Sequence, residues 1–268
     1  MVVKDAVAVY GVVSFLAIRF AIGCSLIGAG SLRRFSLGPL WIGGCIGAVL
    51  AVAYLFQTFG LRHTTATNCG LITGLFVVFA PLANRLLFGV RTSRVFWAAI
   101  ALSIVGLFLL TGSGPDPLAK GDLLTLAAAA CFGLHIAMLD RYAKHHDTTL
   151  LAFWQLASAT LIFLLVWPLT EPLVLPPGEV WFALLITGVL ATAAAFFIQT
   201  YVQRRLPAVR TAIVISTEPI FAAFFGYTLA GDRLTGLQLA GGALMIAAVV
   251  LAEVVPALMA NGGKGGRG

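Results

Sequence analysis

Uniformly apolar runs, each long enough to cross a lipid bilayer, recur along the whole chain with short polar gaps between them. A hydrocarbon core of about 30 Å takes roughly 20 residues of helix at about 1.5 Å each. On that measure about nine spans are expected, over residues 12–30, 41–60, 67–88, 95–112, 121–140, 149–168, 180–202, 209–230 and 236–255. Strands that cross a bilayer alternate apolar and polar positions, whereas these runs are apolar on every side, so the spans are helical. The gaps carry turn formers, as in Ser36-Leu37-Gly38-Pro39, Gly112-Ser113-Gly114-Pro115-Asp116-Pro117 and the stretch from Glu171-Pro172 to Pro176-Pro177-Gly178. No soluble domain fits between them. The pattern predicts an all-α membrane protein, a polytopic bundle of about nine transmembrane helices, with a Gly-rich disordered tail over residues 257–268.

Composition narrows the picture. Of 268 residues, 60% are hydrophobic and 10% charged, against roughly a quarter charged in a soluble domain, which excludes a water-soluble globule and a disordered chain alike. The net charge of +7 does not point to nucleic acid, because the 17 Lys and Arg residues stand in ones and twos between apolar runs. Arg33, Arg34, Arg85, Arg91, Arg94, Arg141, Lys144, Arg204, Arg205, Arg210, Lys264 and Arg267 fall in one set of alternate loops; the other set holds Lys4, Arg62, Lys120 and Arg233. The positive-inside rule then puts the first set and the C-terminus in the cytoplasm, with the chain crossing the inner (plasma) membrane and Met1 outside. Cys24, Cys45, Cys69 and Cys131 form no C-x-x-C pair and read as small packing residues. The sequence holds no nucleotide loop, no G-x-S-x-G, no H-E-x-x-H and no paired His/Cys ligands. No cofactor or metal is expected, and ATP-driven pumping by this chain alone is excluded.

Comparison of the chain with itself brings out a repeat. A shift of 142 residues pairs Gln57-Thr58-Phe59 with Gln199-Thr200-Tyr201, Arg62 with Arg204, Ala66 with Ala208, Gly89 with Gly231 and Arg91 with Arg233. Upstream a shift of 136 sets Ala17-Ile18-Arg19 against Phe153-Trp154-Gln155, the Pro-rich loop after Glu171 absorbing the difference. Residues 1–114 and 115–256 are the two copies. The second has five spans and the first four, the partner of span 121–140 falling before Met1. Five is odd, so the copies lie in the membrane with opposite topology, the arrangement of secondary transporters. An N-terminus outside the cell with no cleavable signal is uncommon. Together with the missing partner it suggests a ten-helix transporter shortened at its start.

Particular residues carry a family likeness. Thr64-Thr65-Ala66-Thr67-Asn68 leading into Thr73-Gly74-Leu75-Phe76-Val77-Val78-Phe79-Ala80-Pro81-Leu82, then Ser216-Thr217-Glu218-Pro219, Gly231-Asp232-Arg233-Leu234 and Gly241-Gly242, resemble the EamA family of the drug/metabolite transporter superfamily. Lys4-Asp5-Ala6 and Phe15-Leu16-Ala17-Ile18-Arg19-Phe20 are similar to the end of that family's first helix and its second. Asp232, where Glu is common, and Val90, where an acid usually precedes the basic residue, depart from the pattern. The resemblance implies a five-plus-five inverted bundle, here with most of the first helix lacking. It also implies a central cavity that passes small metabolites or amino acids by alternating access; it specifies fold far better than substrate.

Polar residues inside spans are the candidates for chemistry. Glu218 lies near the middle of span 209–230, where an ionisable group costs roughly 2.5 to 3.5 kcal/mol. It either meets a substrate ammonium or carries a proton, or it is a neutral packing acid; Pro219 beside it frees a carbonyl one turn earlier. Arg19 is the basic residue deep in a span and cannot shed its proton, so it needs an anion, carbonyls or water, or must snorkel to the surface. Gln155 takes the place of Arg19 in the repeat, and Gln57 and Gln199 take one another's; each suits a polar ligand or an interhelical hydrogen bond. Tyr54, Trp154 and Tyr201 lie on the same spans, as path lining or as packing and interface residues. His135 could titrate in a cavity or simply be packed. Its spacing to Asp140 also occurs in some membrane acyltransferases, but five residues turn a helix by about 500° and point the two apart.

The sites predicted for substrate are therefore Glu218, Arg19, Gln57, His135, Gln155, Gln199, Tyr54 and Tyr201, with a small-molecule substrate and the lipid bilayer as partners. A homodimer stays open. An acyltransferase using His135 and Asp140, or a nonfunctional remnant, is the competing reading.

Overall fold

The residues described in a computed structural model of the chain are 2–31, 35–90, 94–111, 120–205, 218–229 and 231–262. They form α1 (Val2–Val9), α2 (Val12–Ser31), α3 (Leu40–Leu61), α4 (Ala66–Thr73), α5 (Phe76–Phe88), α6 (Arg94–Thr111) and α7 (Lys120–Tyr142). After a short turn of tighter helix at Ala143–His145 come α8 (Thr148–Thr170), α9 (Gly178–Gly188), a π-helical segment (Val189–Ala194), α10 (Ala195–Arg205), α11 (Glu218–Thr228) and α12 (Gly236–Gly262). No strand occurs among the described residues.

Among the described residues, six helical stretches are long and apolar enough to cross a bilayer: Val12–Ser31, Leu40–Leu61, Ala66–Phe88, Lys120–His145, Thr148–Thr170 and Gly178–Arg205. Trp97–Leu110 and Gly236–Leu251 are shorter apolar helices. Each overlaps a span expected from the sequence. The expected span 209–230 lies partly outside the described residues, with α11 as its described part. Large apolar side chains such as Phe108, Leu165, Phe182 and Ile198 are exposed, a surface that suits lipid rather than water.

Local chemistry sets the helix ends. Asp147 opens α8 by accepting from the Thr149 and Leu150 amides at 2.9 and 3.1 Å, and Thr65 caps α4 through the Asn68 amide at 3.0 Å. Past the ends of α5 and α11 stand Gly89 and Gly231, with φ of 67° and 72°, a left-handed conformation that glycine adopts without steric cost. These are the two glycines that a shift of 142 pairs.

The chain divides into two compact units that each draw helices from both halves of the sequence: Phe59–Ala137 with Leu206–Gly268, and Val2–Thr58 with Met138–Arg205. In the first, α6 packs on α12. Gly241 near the start of α12 meets Leu110 near the end of α6, Met245 lies against Gly106, and Leu251 packs in one cluster with Ile100, so the pair is antiparallel. Leu71, Ile72, Leu75, Leu110, Ala129 and Met245 form its core. In the second, α2 packs on α8. Phe153 near the start of α8 lies against Gly28 near the end of α2, while Glu171, just past α8, reaches the first turn of α2, so this pair is antiparallel too. Helix α3 crosses α8 through Gly43 and Gly47, where a β-carbon on Gly47 would collide with the Gln155 carbonyl. Ser158 Oγ donates to the Gly44 carbonyl at 2.8 Å in the same crossing. Lipid tails compete with apolar side chains for contact, so such close backbone approach is what holds helices together here.

Candidate functional site

Arg19 is carried by the second turn of α2 and is 6% exposed. It does not snorkel. Its Nε donates to Thr192 Oγ1 at 2.9 Å and its Nη2 to the Ala191 carbonyl at 3.2 Å, with the Tyr54 hydroxyl at 3.5 Å. The guanidinium also lies 4.9 Å from the centre of the Tyr54 ring and 5.8 Å from that of Phe20, within the range of cation–π attraction. Both oxygen acceptors from the opposing helix lie in the π-helical segment. The wider turn there loosens the regular carbonyl ladder, and such segments recur at functional sites. Around the charge, Phe20 packs edge-on against Tyr54 and Phe163, at 5.0 and 5.1 Å between ring centres, with Phe196 beside them at 6.3 Å. The sequence singled out Arg19 and Tyr54 separately; the fold brings them together. It pairs Arg19 with neutral groups, and no carboxylate among the described residues lies within ion-pairing distance of it.

Gln155 is fully buried on α8 and donates from Nε2 to Thr200 Oγ1 at 3.0 Å, which in turn donates to the Phe196 carbonyl at 2.7 Å. Gln57 on α3 and Gln199 on α10 are half-buried. Tyr201 faces outward, 40% exposed, with the Arg205 guanidinium 4.1 Å from its ring centre. His135 is 1% exposed on α7 in the other unit. Asp140, five residues on, is exposed, its carboxylate 3.8 Å from Lys144 Nζ. Glu218 opens α11, and its side chain lies outside the described residues.

Sequence reasoning did not find Thr192 and Thr200, since a lone threonine in an apolar run gives no signal. It also missed the carboxylates that hold helix ends. Glu171 accepts from the Val12 amide at 2.9 Å, the Val13 amide at 3.1 Å, and the Ser14 amide and hydroxyl at 2.9 and 2.7 Å. It thereby caps α2 from 157 residues away or more. Burial pushes its carboxyl up, but the bonds from Ser14, Val13 and Val12 outweigh that and bring it below the usual carboxylate range. Next to it Gly11 turns the chain at φ 105°, and the Tyr10 hydroxyl donates to the Val174 carbonyl at 2.7 Å. In the other unit Asp232 accepts from the Thr67 amide and hydroxyl at 2.7 and 2.8 Å and caps α4 from a distance. This gives a structural role to an acid that departs from the family pattern.

Comparison with known proteins agrees with this architecture. The model of the EamA-like transporter family matches residues 1–112 and again 119–253. An uncharacterized transporter of Archaeoglobus fulgidus is 32% identical over 256 residues, covering 94% of this chain and 80% of the relative. The threonine/homoserine exporter RhtA of Escherichia coli K12 is 30% identical over 171 residues, 63% of this chain and 57% of the exporter. A solved crystal structure superposes with a TM-score of 0.69 over 94% of this chain and 91% of that one at 20% identity, a likeness of fold alone.

Proposed function

Because the chain belongs to the EamA-like transporter family, we propose that it is a secondary-active transporter which exports small metabolites or amino acids across the inner membrane by alternating access of two inverted helix bundles. The observation that carries this reading is the direction of packing. Helices α2 and α8, set together by a shift of 136, run antiparallel, as do α6 and α12, set together by a shift of 142. Repeats of opposite topology bring equivalent helices together in that sense, and the left-handed glycines at 89 and 231 support the same register. Residues 1–114 and 115–256 are then the two copies, with the C-terminus in the cytoplasm.

Arg19, Tyr54, Gln57, Gln155 and Gln199, all of one unit, line the substrate's path in this reading. Amino acids are the first class to test, since threonine and homoserine are in the name of the RhtA relatives. The acyltransferase alternative needs His135 and Asp140 at one centre, and the burial of one and the exposed ion pair of the other give it no support. Purified protein in proteoliposomes should exchange labelled amino acids against an internal pool. A panel of amino acids and nucleosides among which none moves above empty vesicles contradicts the proposal.

A further inference from the structure

The surroundings of Arg19 go further than its burial. A guanidinium offers five donors and stays charged at any pH a cell reaches. Here Nε and Nη2 are engaged by Thr192, Ala191 and Tyr54, while Nη1 donates to no acceptor among the described residues. All of its partners among the described residues are neutral, so no described group compensates the positive charge inside a membrane span, where a lone charge is expensive.

From this geometry we infer that Arg19 is the anchor for a carboxylate of the transported solute, deepening the transporter reading on which it rests. Nη1 is free to donate to a carboxylate, and the bond becomes a parallel pair once the carboxylate takes the place of the Tyr54 hydroxyl, 3.5 Å from Nη2. One positive charge matches one negative charge. The other basic residues described in this unit, such as Lys4, Arg141, Lys144, Arg204 and Arg205, lie at or beyond helix ends rather than beside Arg19. A phosphate dianion would therefore leave net negative charge in the span, whereas a carboxylate neutralises the site. The rings of Phe20, Tyr54, Phe163 and Phe196 next to the charge suit the apolar stem of a small organic acid or amino acid. In the absence of solute, the Ala191 carbonyl and Thr192 hydroxyl hold the guanidinium in place.

The test compares acids with their own alcohols on the full chain in lipid nanodiscs, read as ligand-induced thermal stabilisation. The pairs are L-threonine against L-threoninol, L-phenylalanine against L-phenylalaninol and lactate against 1,2-propanediol, with methyl phosphate as a further arm. The acid of at least one pair should bind about tenfold or more tightly than its alcohol, and methyl phosphate should not compete. Arg19→Lys should weaken the acid about tenfold while leaving the melting of the empty protein near wild type. Arg19→Gln should erase the difference between acid and alcohol, and Tyr54→Phe should weaken the acid only a few-fold. An alcohol that binds as well as its acid, a preference that survives Arg19→Gln, or tight methyl phosphate binding overturns the anchor and leaves the transporter reading standing. A panel in which nothing binds and no solute moves overturns both.

Discussion

Helices α2 and α8 are the same element twice over in the proposed repeat, and they differ where it matters. Both begin under a carboxylate: Asp147 caps α8 from the adjoining residue, while α2, preceded by Gly11, takes its cap from Glu171 beyond the far end of α8. Both cross a neighbouring helix through a glycine: the Gln155 carbonyl sits on Gly47 of α3, and the Arg19 carbonyl on Gly188 of α9. At that crossing, however, α8 presents a neutral, fully buried Gln155 bonded to Thr200, and α2 presents a buried cation bonded to a π-helical segment. In the proposed repeat the two backbones correspond and the polar side chains differ. On the proposed reading, a duplicated scaffold keeps what packing requires and frees one copy's polar position for a ligand.

Making the two helices alike at the crossing should have the largest effect. Arg19→Gln gives α2 the residue that α8 carries, and we expect transport in proteoliposomes to fall about ten- to hundredfold, the range for losing one charge-assisted contact. Retained flux would mean that the asymmetry is structural. The glycine crossings come next. A β-carbon on Gly47 meets the Gln155 backbone, whereas one on Gly188 meets Ile22 side-chain atoms at 2.9 Å and the Arg19 carbonyl at 3.1 Å. Gly47→Ala should therefore cost about 1–3 kcal/mol of stability and Gly188→Ala less, as read from thermal unfolding in detergent.

The two caps should separate as well. Glu171→Gln loses a carboxylate that accepts four hydrogen bonds and should destabilise by about 1–2 kcal/mol. Asp147→Asn, with a side chain that caps nearly as well, should cost a few tenths. Glu171 also gives an effect of pH. Its carboxyl in the folded chain lies below the ordinary value of 4.5, so the unfolded chain takes up this proton first as pH falls. Its stabilisation is complete above the ordinary value and is lost as pH drops through the lowered one. Melting curves of wild type and Glu171→Gln should differ at neutral pH and converge in acid.

Much of this was legible in the sequence, and the rest was hidden for physical reasons. Uniform hydrophobicity fixes where a helix must cross lipid, so α2, α3 and α8 begin and end within a few residues of expectation. Gly89 and Gly231 stood out in the sequence at equivalent places of the proposed repeat, and each takes a left-handed conformation that favours glycine. Arg19 stood out because a charge in an apolar run is costly wherever it points, but its partners Thr192 and Ala191 lie 173 and 172 residues away and depend on a π-helical turn that no pattern announces. Glu171 was passed over because it sits in a Pro-rich gap, where an acid reads as solvated. The fold instead brings it to the open end of α2.

The proposed inverted duplication relates α2 to α8, and the sidedness of equivalent positions tests it most directly. His63 and Arg205 are exposed, lie just beyond the ends of α3 and at the end of α10, and are paired by the shift of 142. In a chain freed of Cys24, Cys45, Cys69 and Cys131, His63→Cys and Arg205→Cys can be probed one at a time with a membrane-impermeant maleimide on intact cells and on permeabilised ones. The account predicts that position 63 labels from outside and position 205 only after permeabilisation. Labelling of both from the same side would contradict it.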